Sequence, residues 1–259
     1  MSQAESHNIF DRVLLRRRHK RFAPQFAAHD FLHREAAAGL LERRADIKRP
    51  LSRVLALGYG LEESGADVAA SLAADVLPGG ATARVVADEE FLPFAPRSFD
   101  LIVGNLNFHM VNDLPGALLQ CRHILAPDGL LLAAMLGGET LHQLRHCLYE
   151  AEQAATGGVS PRVAPFAEAA SMAGLLQRAG FILPVADREV IETRYPDILA
   201  LMRELRGMGM GNTLHGRIRH PSRREIFARA AALYAERYPA PDGGVSASFE
   251  IIYLHGWNP

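Results

Sequence analysis

Short apolar runs alternate along the chain with longer segments in which apolar residues recur every three or four positions. Strand-length apolar runs occupy residues 53–57, 83–87, 99–103 and 130–135. Helical spacing marks residues 62–76, 114–125, 140–155 and 167–180. Continuous apolar strands that alternate with helices are typical of a parallel sheet covered on both faces. The pattern therefore predicts an α/β fold with helices on both faces of the sheet.

The two ends of the chain extend this pattern. Residues 8–44 have helical spacing that Pro24 divides, and they carry a basic run from Arg16 to Arg21. We interpret the run as a solvated helix face, and the alternative is a docking arm for an acidic partner. The apolar run at residues 249–254 is expected to return to the sheet as its last strand. We therefore predict an N-terminal helical segment, residues 1–48, packed on an α/β domain, residues 49–259.

Composition narrows the function classes. The 259 residues include 28 Lys and Arg against 29 Asp and Glu, a net charge of −1, so the whole-chain basic footprint of a nucleic-acid-binding protein is missing. The apolar runs are too short for a membrane span, and the first residues lack the apolar core of a signal peptide. We therefore expect a cytoplasmic protein. Cys121 and Cys147 lack metal-binding spacing, and His142 and His146 lack a zinc-protease glutamate, so no metal site is indicated.

Candidate binding residues follow the predicted strands. In an open α/β sheet, ligands bind beyond the carboxyl ends of the strands. Gly58 and Gly60 follow the first strand, and glycine lets the backbone approach a ligand closely. Asp88 follows a later strand, where a carboxylate can accept hydrogen bonds from an amine or a pair of hydroxyls. Asn105 and His109 come after the strand at 99–103 and would face a ligand; for His109 the alternative is a hydrogen-bonding loop residue.

Longer stretches of the chain resemble a known family. Four segments resemble the type 11 group of class I S-adenosylmethionine methyltransferases, namely residues 87–94, 98–103, 108–115 and 124–129. The stretch Gly137-Gly138-Glu139-Thr140-Leu141, which follows them, fits the same group. With Asn8-Ile9-Phe10-Asp11-Arg12 at the start and Gly256-Trp257 at the end, the chain is similar to respiratory complex I assembly factors with a methyltransferase fold. It is similar, more distantly, to the carrier-protein methyltransferase of biotin synthesis.

The resemblance implies a Rossmann-like sheet with S-adenosylmethionine as the cofactor at its switch point. It would give cofactor-binding roles to Gly58, Gly60, Asp88, Glu89 and Asn105. The catalytic group is not identified by the resemblance, and the candidates are Asn105 and His109. Methyl transfer to a bound substrate depends mainly on positioning and on a dry pocket.

The chain departs from the family pattern in two places. Ala56 replaces the leading acid of the first motif, and Glu62 replaces its third glycine. Asp88 lies only 28 positions after Gly60, an interval that one helix and one strand would fill. We therefore predict a sheet shortened by one strand–helix unit after the first helix, without the carboxylate that binds the ribose. Binding of S-adenosylmethionine is accordingly predicted to be weak or lost.

Two functions follow. The first is an enzyme that acts on a protein client in complex I assembly, by methylation or by the arginine hydroxylation with which the assembly factors are associated. The second is a non-catalytic, degenerate methyltransferase fold that serves as an assembly or binding protein. The family-like stretch from Asp88 to Gly138 favours the enzyme, whereas the altered first motif and the short interval favour the binding protein.

Overall fold

A seven-stranded sheet forms the centre of the computed structural model, which describes residues 8–72 and 81–259. Its strands are β1 (Val54–Gly58), β2 (Val68–Ser71), β3 (Ala83–Val86), β4 (Phe99–Asn105), β5 (Leu125–Leu136), β6 (Ile182–Tyr195) and β7 (Val245–Trp257). The order across the sheet is β3-β2-β1-β4-β5-β7-β6. Strands β1 to β5 are parallel, and β7 runs antiparallel between β5 and β6. Because the order reverses between β1 and β4, the carboxyl ends of these two strands form a topological switch point.

Helices cover both faces of this sheet, as the sequence predicts. They are α1 (Arg12–Phe22), α2 (Phe31–Ala45), α3 (Leu114–Ile124), α4 (His142–Thr156), α5 (Ala169–Arg178), α6 (Ile198–Gly207) and α7 (Arg224–Arg237). One face buries apolar side chains of α2, α4, α6 and α7. The other face buries those of α3 and α5. The predicted α/β class and the return of the last apolar run to the sheet are both confirmed.

The interval between Gly60 and Asp88 corrects two predictions. The predicted loss of a strand is wrong, because β2 and β3 both lie in this interval. The helix predicted over residues 62–76 is wrong in its described part, where Glu62–Ser64 form a short 3-10 turn and Val68–Ser71 form β2. Residues 73–80 of that prediction lie outside the described residues. A full helix is therefore absent between β1 and β2, which is why two strands fit in so few residues.

Backbone hydrogen bonding explains why Val68–Ser71 form strand β2 and not part of the predicted helix. The spacing of Val68 and Leu72 suits a helix, but a strand also places them on one side. The edge of β1 needs backbone partners, and β2 supplies them through the register of Leu57 with Ala70. The Asp67 carboxylate accepts a hydrogen bond from the backbone N–H of Val54 at 2.8 Å and fixes the start of the pair. Ser71 is the last residue of β2, and the absence of a ribose-binding carboxylate stays a prediction, since Asp75 lies outside the described residues.

The N-terminal residues fold as two helices separated at Pro24, as predicted. A 3-10 segment, Ala23–Ala28, joins α1 to α2. Helix α2 buries Leu32, Ala36 and Leu40 against the sheet. The division of the chain at residue 48 stays a prediction. Within 8–72 and 81–259, the helices are all too short or too polar to cross a membrane.

Candidate functional site

The turn after β1 is held by the residue that ends β4. Gly58 has a φ of +96°, and a Cβ at this position would lie 2.3 Å from the backbone oxygen of Asn105. The Asn105 side-chain Nδ2 donates to the backbone oxygens of Tyr59 at 2.6 Å and of His33 at 2.9 Å. Asn105 is completely buried. In this structure its side chain therefore ties the turn at Gly58 to α2.

The two acids after β3 bind an arginine of the N-terminal helix. One guanidinium nitrogen of Arg12, Nη2, lies 2.5 Å from Asp88 Oδ1 and also pairs with Glu89. The other, Nη1, donates to the backbone oxygen of Met110 at 3.0 Å. The side chains of Arg12 and Glu89 are only 12% and 7% exposed. Burial raises the pKa of Glu89, and the positive charge of Arg12 opposes that shift.

Tyr59 fills the space between the first turn and the end of β2. Burial raises the pKa of its hydroxyl and lowers that of His19 to about 4, so both groups are neutral where the hydroxyl and His19 Nδ1 form a hydrogen bond of 2.6 Å. Ser71 is also hydrogen-bonded to the Tyr59 hydroxyl. The Tyr59 ring packs against Phe26 and His33, with centroid distances of 5.1 and 5.6 Å.

This packing leaves no room for a nucleoside. The cavity enclosed by Arg12, Gly58, Tyr59 and Glu89 measures about 10 Å³, which is roughly the space that one water requires. The carboxylates that would face the adenosine part already carry Arg12 as their counter-ion. As the described residues lie here, this cavity is smaller than S-adenosylmethionine, and whether the cofactor binds stays a prediction.

A second, larger cavity lies beside the first. It measures about 470 Å³ and is bordered by side chains of α1, α4, α6 and α7. His109 lines it, is 6% exposed, and has an Nδ1 without a hydrogen-bond partner in the described part of the chain. Burial lowers the pKa of His109 to about 3, so its imidazole is neutral. A neutral imidazole at this wall can accept one hydrogen bond from a bound molecule and donate one to it.

The structure brings most of the predicted binding residues together. Gly58 and Glu89 line the small cavity, and Gly60 lies in the same turn at a φ of +69°. Asp88 and Asn105 contact residues that line it, Arg12 and Tyr59 respectively. His109 lies apart from them, on the wall of the larger cavity. Their roles stay predictions. Among the residues that the structure describes, His, Cys, Asp and Glu form no group of three that could hold a metal ion.

Sequence reasoning missed the residues that close the site. Arg12 is 76 positions from its partner Asp88. The Asn112 side-chain oxygen accepts a hydrogen bond of 2.7 Å from the backbone N–H of Phe10, which is 102 positions away. The sequence contained a signal, since Arg12 belongs to the opening stretch that resembles the assembly factors. The interpretation of the basic run as a solvated helix face fits the exposed Arg16, Arg17 and Arg21, whereas Arg18 is half-buried against the larger cavity.

Known proteins resemble this chain along most of its length. A family model described as a methyltransferase domain matches residues 50–133. The human protein named arginine-hydroxylase NDUFAF5, mitochondrial, is 39% identical over 96% of this chain and 77% of its own length. A malonyl-[acyl-carrier protein] O-methyltransferase of Halorhodospira halophila is 32% identical over 99% of this chain and 91% of its own. The crystal structure of the YcgJ protein of Bacillus subtilis has the same fold, with a TM-score of 0.56 and 15% identity over 86% of this chain and 98% of its own. The chain therefore belongs to the family of methyltransferase-fold proteins that includes the NDUFAF5 arginine-hydroxylases.

Proposed function

We propose that this protein acts in respiratory complex I assembly by hydroxylating an arginine side chain of a protein client. The similarity to NDUFAF5 proteins, which carry the name arginine-hydroxylase, supports this proposal over nearly the full chain. Hydroxylation inserts one oxygen atom into a C–H bond, so it consumes an oxidant such as dioxygen together with two electrons and two protons. Methylation of the same client is the second reaction that the fold allows.

One observation carries the proposal beyond similarity: the acidic cluster after β3 already holds a guanidinium. Arg12 places Nη2 against Asp88 and Glu89, and its Nε lies 4.0 Å from Glu90 Oε1. Both acids contact the same nitrogen, Nη2, so together they form a negatively charged site of the kind that binds a guanidinium through charge-assisted hydrogen bonds. A client arginine would occupy the same carboxylates after α1 moves away.

We further propose that S-adenosylmethionine binding to this protein is weak. The argument is that a cofactor would have to break the ion pairs of Arg12, displace Tyr59 from Ser71, and bind its ribose without a carboxylate at the end of β2. Isothermal titration tests this: we expect no saturation at micromolar cofactor for the natural protein and tighter binding for Arg12→Ala. Micromolar affinity of the natural protein would contradict the proposal.

The alternative function is a non-catalytic assembly protein, and the closed site favours it. In this arrangement Arg12 and Tyr59 occupy the place that a cofactor would need. An assembly protein of this kind would bind its client through an outer surface and would not require Asp88 or Glu89 for the client to mature.

The deciding experiment measures both modification and assembly. In cells whose complex I depends on this protein, the gene is replaced by the double variant Asp88→Asn/Glu89→Gln, with Asp128→Asn as the matched control because that acid is 80% exposed. Mass spectrometry of complex I subunits then detects an arginine heavier by one oxygen atom, or by one methylene group if the reaction is methylation. We expect the double variant to lose the modification. Unchanged modification would refute the role of the acids, and normal assembly without modification would support the alternative.

The compartment in which this protein works is a separate prediction. The vertebrate relatives are named mitochondrial. For this chain the cytoplasm stays our prediction, and cell fractionation with an antibody to the tagged protein tests it.

A further inference from the structure

The larger cavity has an apolar wall that suits a hydrocarbon body. Its volume of about 470 Å³ falls within the range of small-molecule pockets. Leucine, methionine and phenylalanine side chains from β5, α4, α6, α7 and β7 line it, among them Leu136, Leu144, Met202, Leu205, Phe227 and Phe249. Apolar area of this kind binds apolar ligand atoms by removing both from water.

The rim of the same cavity is cationic. Arg18 and Arg21 reach it from α1, Arg206 from α6, and Arg162 from the loop after α4. Only Arg162 is neutralised there, by Glu152 at 2.7 Å. In residues 8–72 and 81–259, Arg18, Arg21 and Arg206 form no ion pair with a carboxylate. Three guanidinium groups therefore line one cavity, and none of them is paired with a carboxylate of the described residues.

Two buried polar atoms at this cavity also lack partners within the described ranges. They are Nη1 of Arg18 and Nδ1 of His109. Buried polar atoms are nearly always hydrogen-bonded in folded proteins, so each of these nitrogens indicates a ligand or solvent atom that serves as its hydrogen-bond partner. Burial and the positive charges of Arg217 and Arg206 lower the pKa of Arg18, which means that an anion close to Arg18 would be stabilised.

We propose that this cavity binds an anionic amphiphile, with a carboxylate or phosphate head group at Arg18, Arg21 and Arg206 and an apolar body against the leucine and phenylalanine wall. A guanidinium would be repelled by the same rim, so the cavity is distinct from the arginine site proposed above. The inference does not depend on that proposed function, because it rests on the charge and shape of this cavity alone.

Binding of dodecanoate and of dodecyl phosphate to the full chain, below their micellar concentrations, tests the proposal by isothermal titration. Dodecyl maltoside serves as the uncharged probe with the same tail. We expect both anions to bind at one site per chain, the maltoside to bind at least tenfold more weakly, and added salt to weaken only the anions. Tighter binding of one anion identifies whether a carboxylate or a phosphate is the preferred head group.

Two variants and one control connect this binding to the cavity. Arg18→Gln and Arg206→Gln should each weaken dodecanoate binding about tenfold, whereas Arg203→Gln should not, because Arg203 is exposed on the same helix α6 and does not line the cavity. Equal binding of the maltoside, or unchanged affinity in both variants, would overturn the proposal. Binding of an acidic amphipathic peptide in the absence of dodecanoate binding would also overturn it, in favour of a protein segment as the occupant.

Discussion

The ion pairs of Arg12 allow a quantitative prediction. Arg12→Ala removes the guanidinium that contacts Asp88 at 2.5 Å and also pairs with Glu89. Glu89 would stay in a site where its side chain is 7% exposed, now without a counter-ion. Removing one partner of a buried ion pair destabilises a protein by about 3–5 kcal/mol, because the remaining charge is then buried without a counter-ion. We therefore expect the free energy of unfolding to fall by that amount at neutral pH.

The loss should depend on pH in a defined direction. Burial raises the pKa of Glu89 and Arg12 opposes the shift, so the variant should have a still higher Glu89 pKa. A carboxyl whose pKa is raised on folding binds its proton more tightly in the folded state. The destabilisation is therefore complete above the raised pKa of Glu89, shrinks as the pH falls through that pKa, and is gone below the ordinary pKa of a glutamate.

Urea denaturation followed by circular dichroism, at about pH 8 and about pH 5, measures this difference. Arg194→Ala is the control, since Arg194 and its partner Asp242 are 57% and 78% exposed, and it should cost less than about 1 kcal/mol at either pH. Adding Glu89→Gln to Arg12→Ala should restore part of the stability by removing the unpaired charge. The reasoning fails if the single variant loses under about 1 kcal/mol, or if the double variant is no more stable than the single one.

Two further predictions concern the turn and the buried histidines. Gly58→Ala should lower the free energy of unfolding by more than about 2 kcal/mol, because its Cβ would lie 2.3 Å from the Asn105 backbone oxygen. Gly157→Ala is the control in the same denaturation assay: this glycine also has a positive φ but open space around it, so the variant should lose about 1 kcal/mol. Burial lowers the pKa values of His33 and His109 to about 3, so between about pH 6.5 and that value each histidine takes up a proton when the chain unfolds. In this range the free energy of unfolding should decrease by up to about 1.4 kcal/mol for each histidine per unit decrease in pH. His109→Asn should reduce that slope, and an unchanged slope would contradict the neutral, buried imidazole.

Local patterns predicted the layers of this fold, because each depends on neighbouring residues. The continuous apolar runs predicted buried parallel strands, and the helical spacing of residues 114–125 predicted α3. The same reasoning failed at residues 62–71, where spacing fits a helix as well as a strand. Hydrogen bonding to the exposed edge of β1 made β2 a strand, and that partner is distant in sequence.

The sequence by itself determined the α/β class, the glycine turn, the acids after β3 and the resemblance to methyltransferase-fold assembly factors. Tertiary structure alone decided that Arg12 neutralises those acids and that Tyr59 fills the space beside them. It also decided that part of the basic run borders an apolar cavity. The physical reason is that ion pairing and burial depend on distances in space, and α1 meets residues 76 positions away only when the chain is folded.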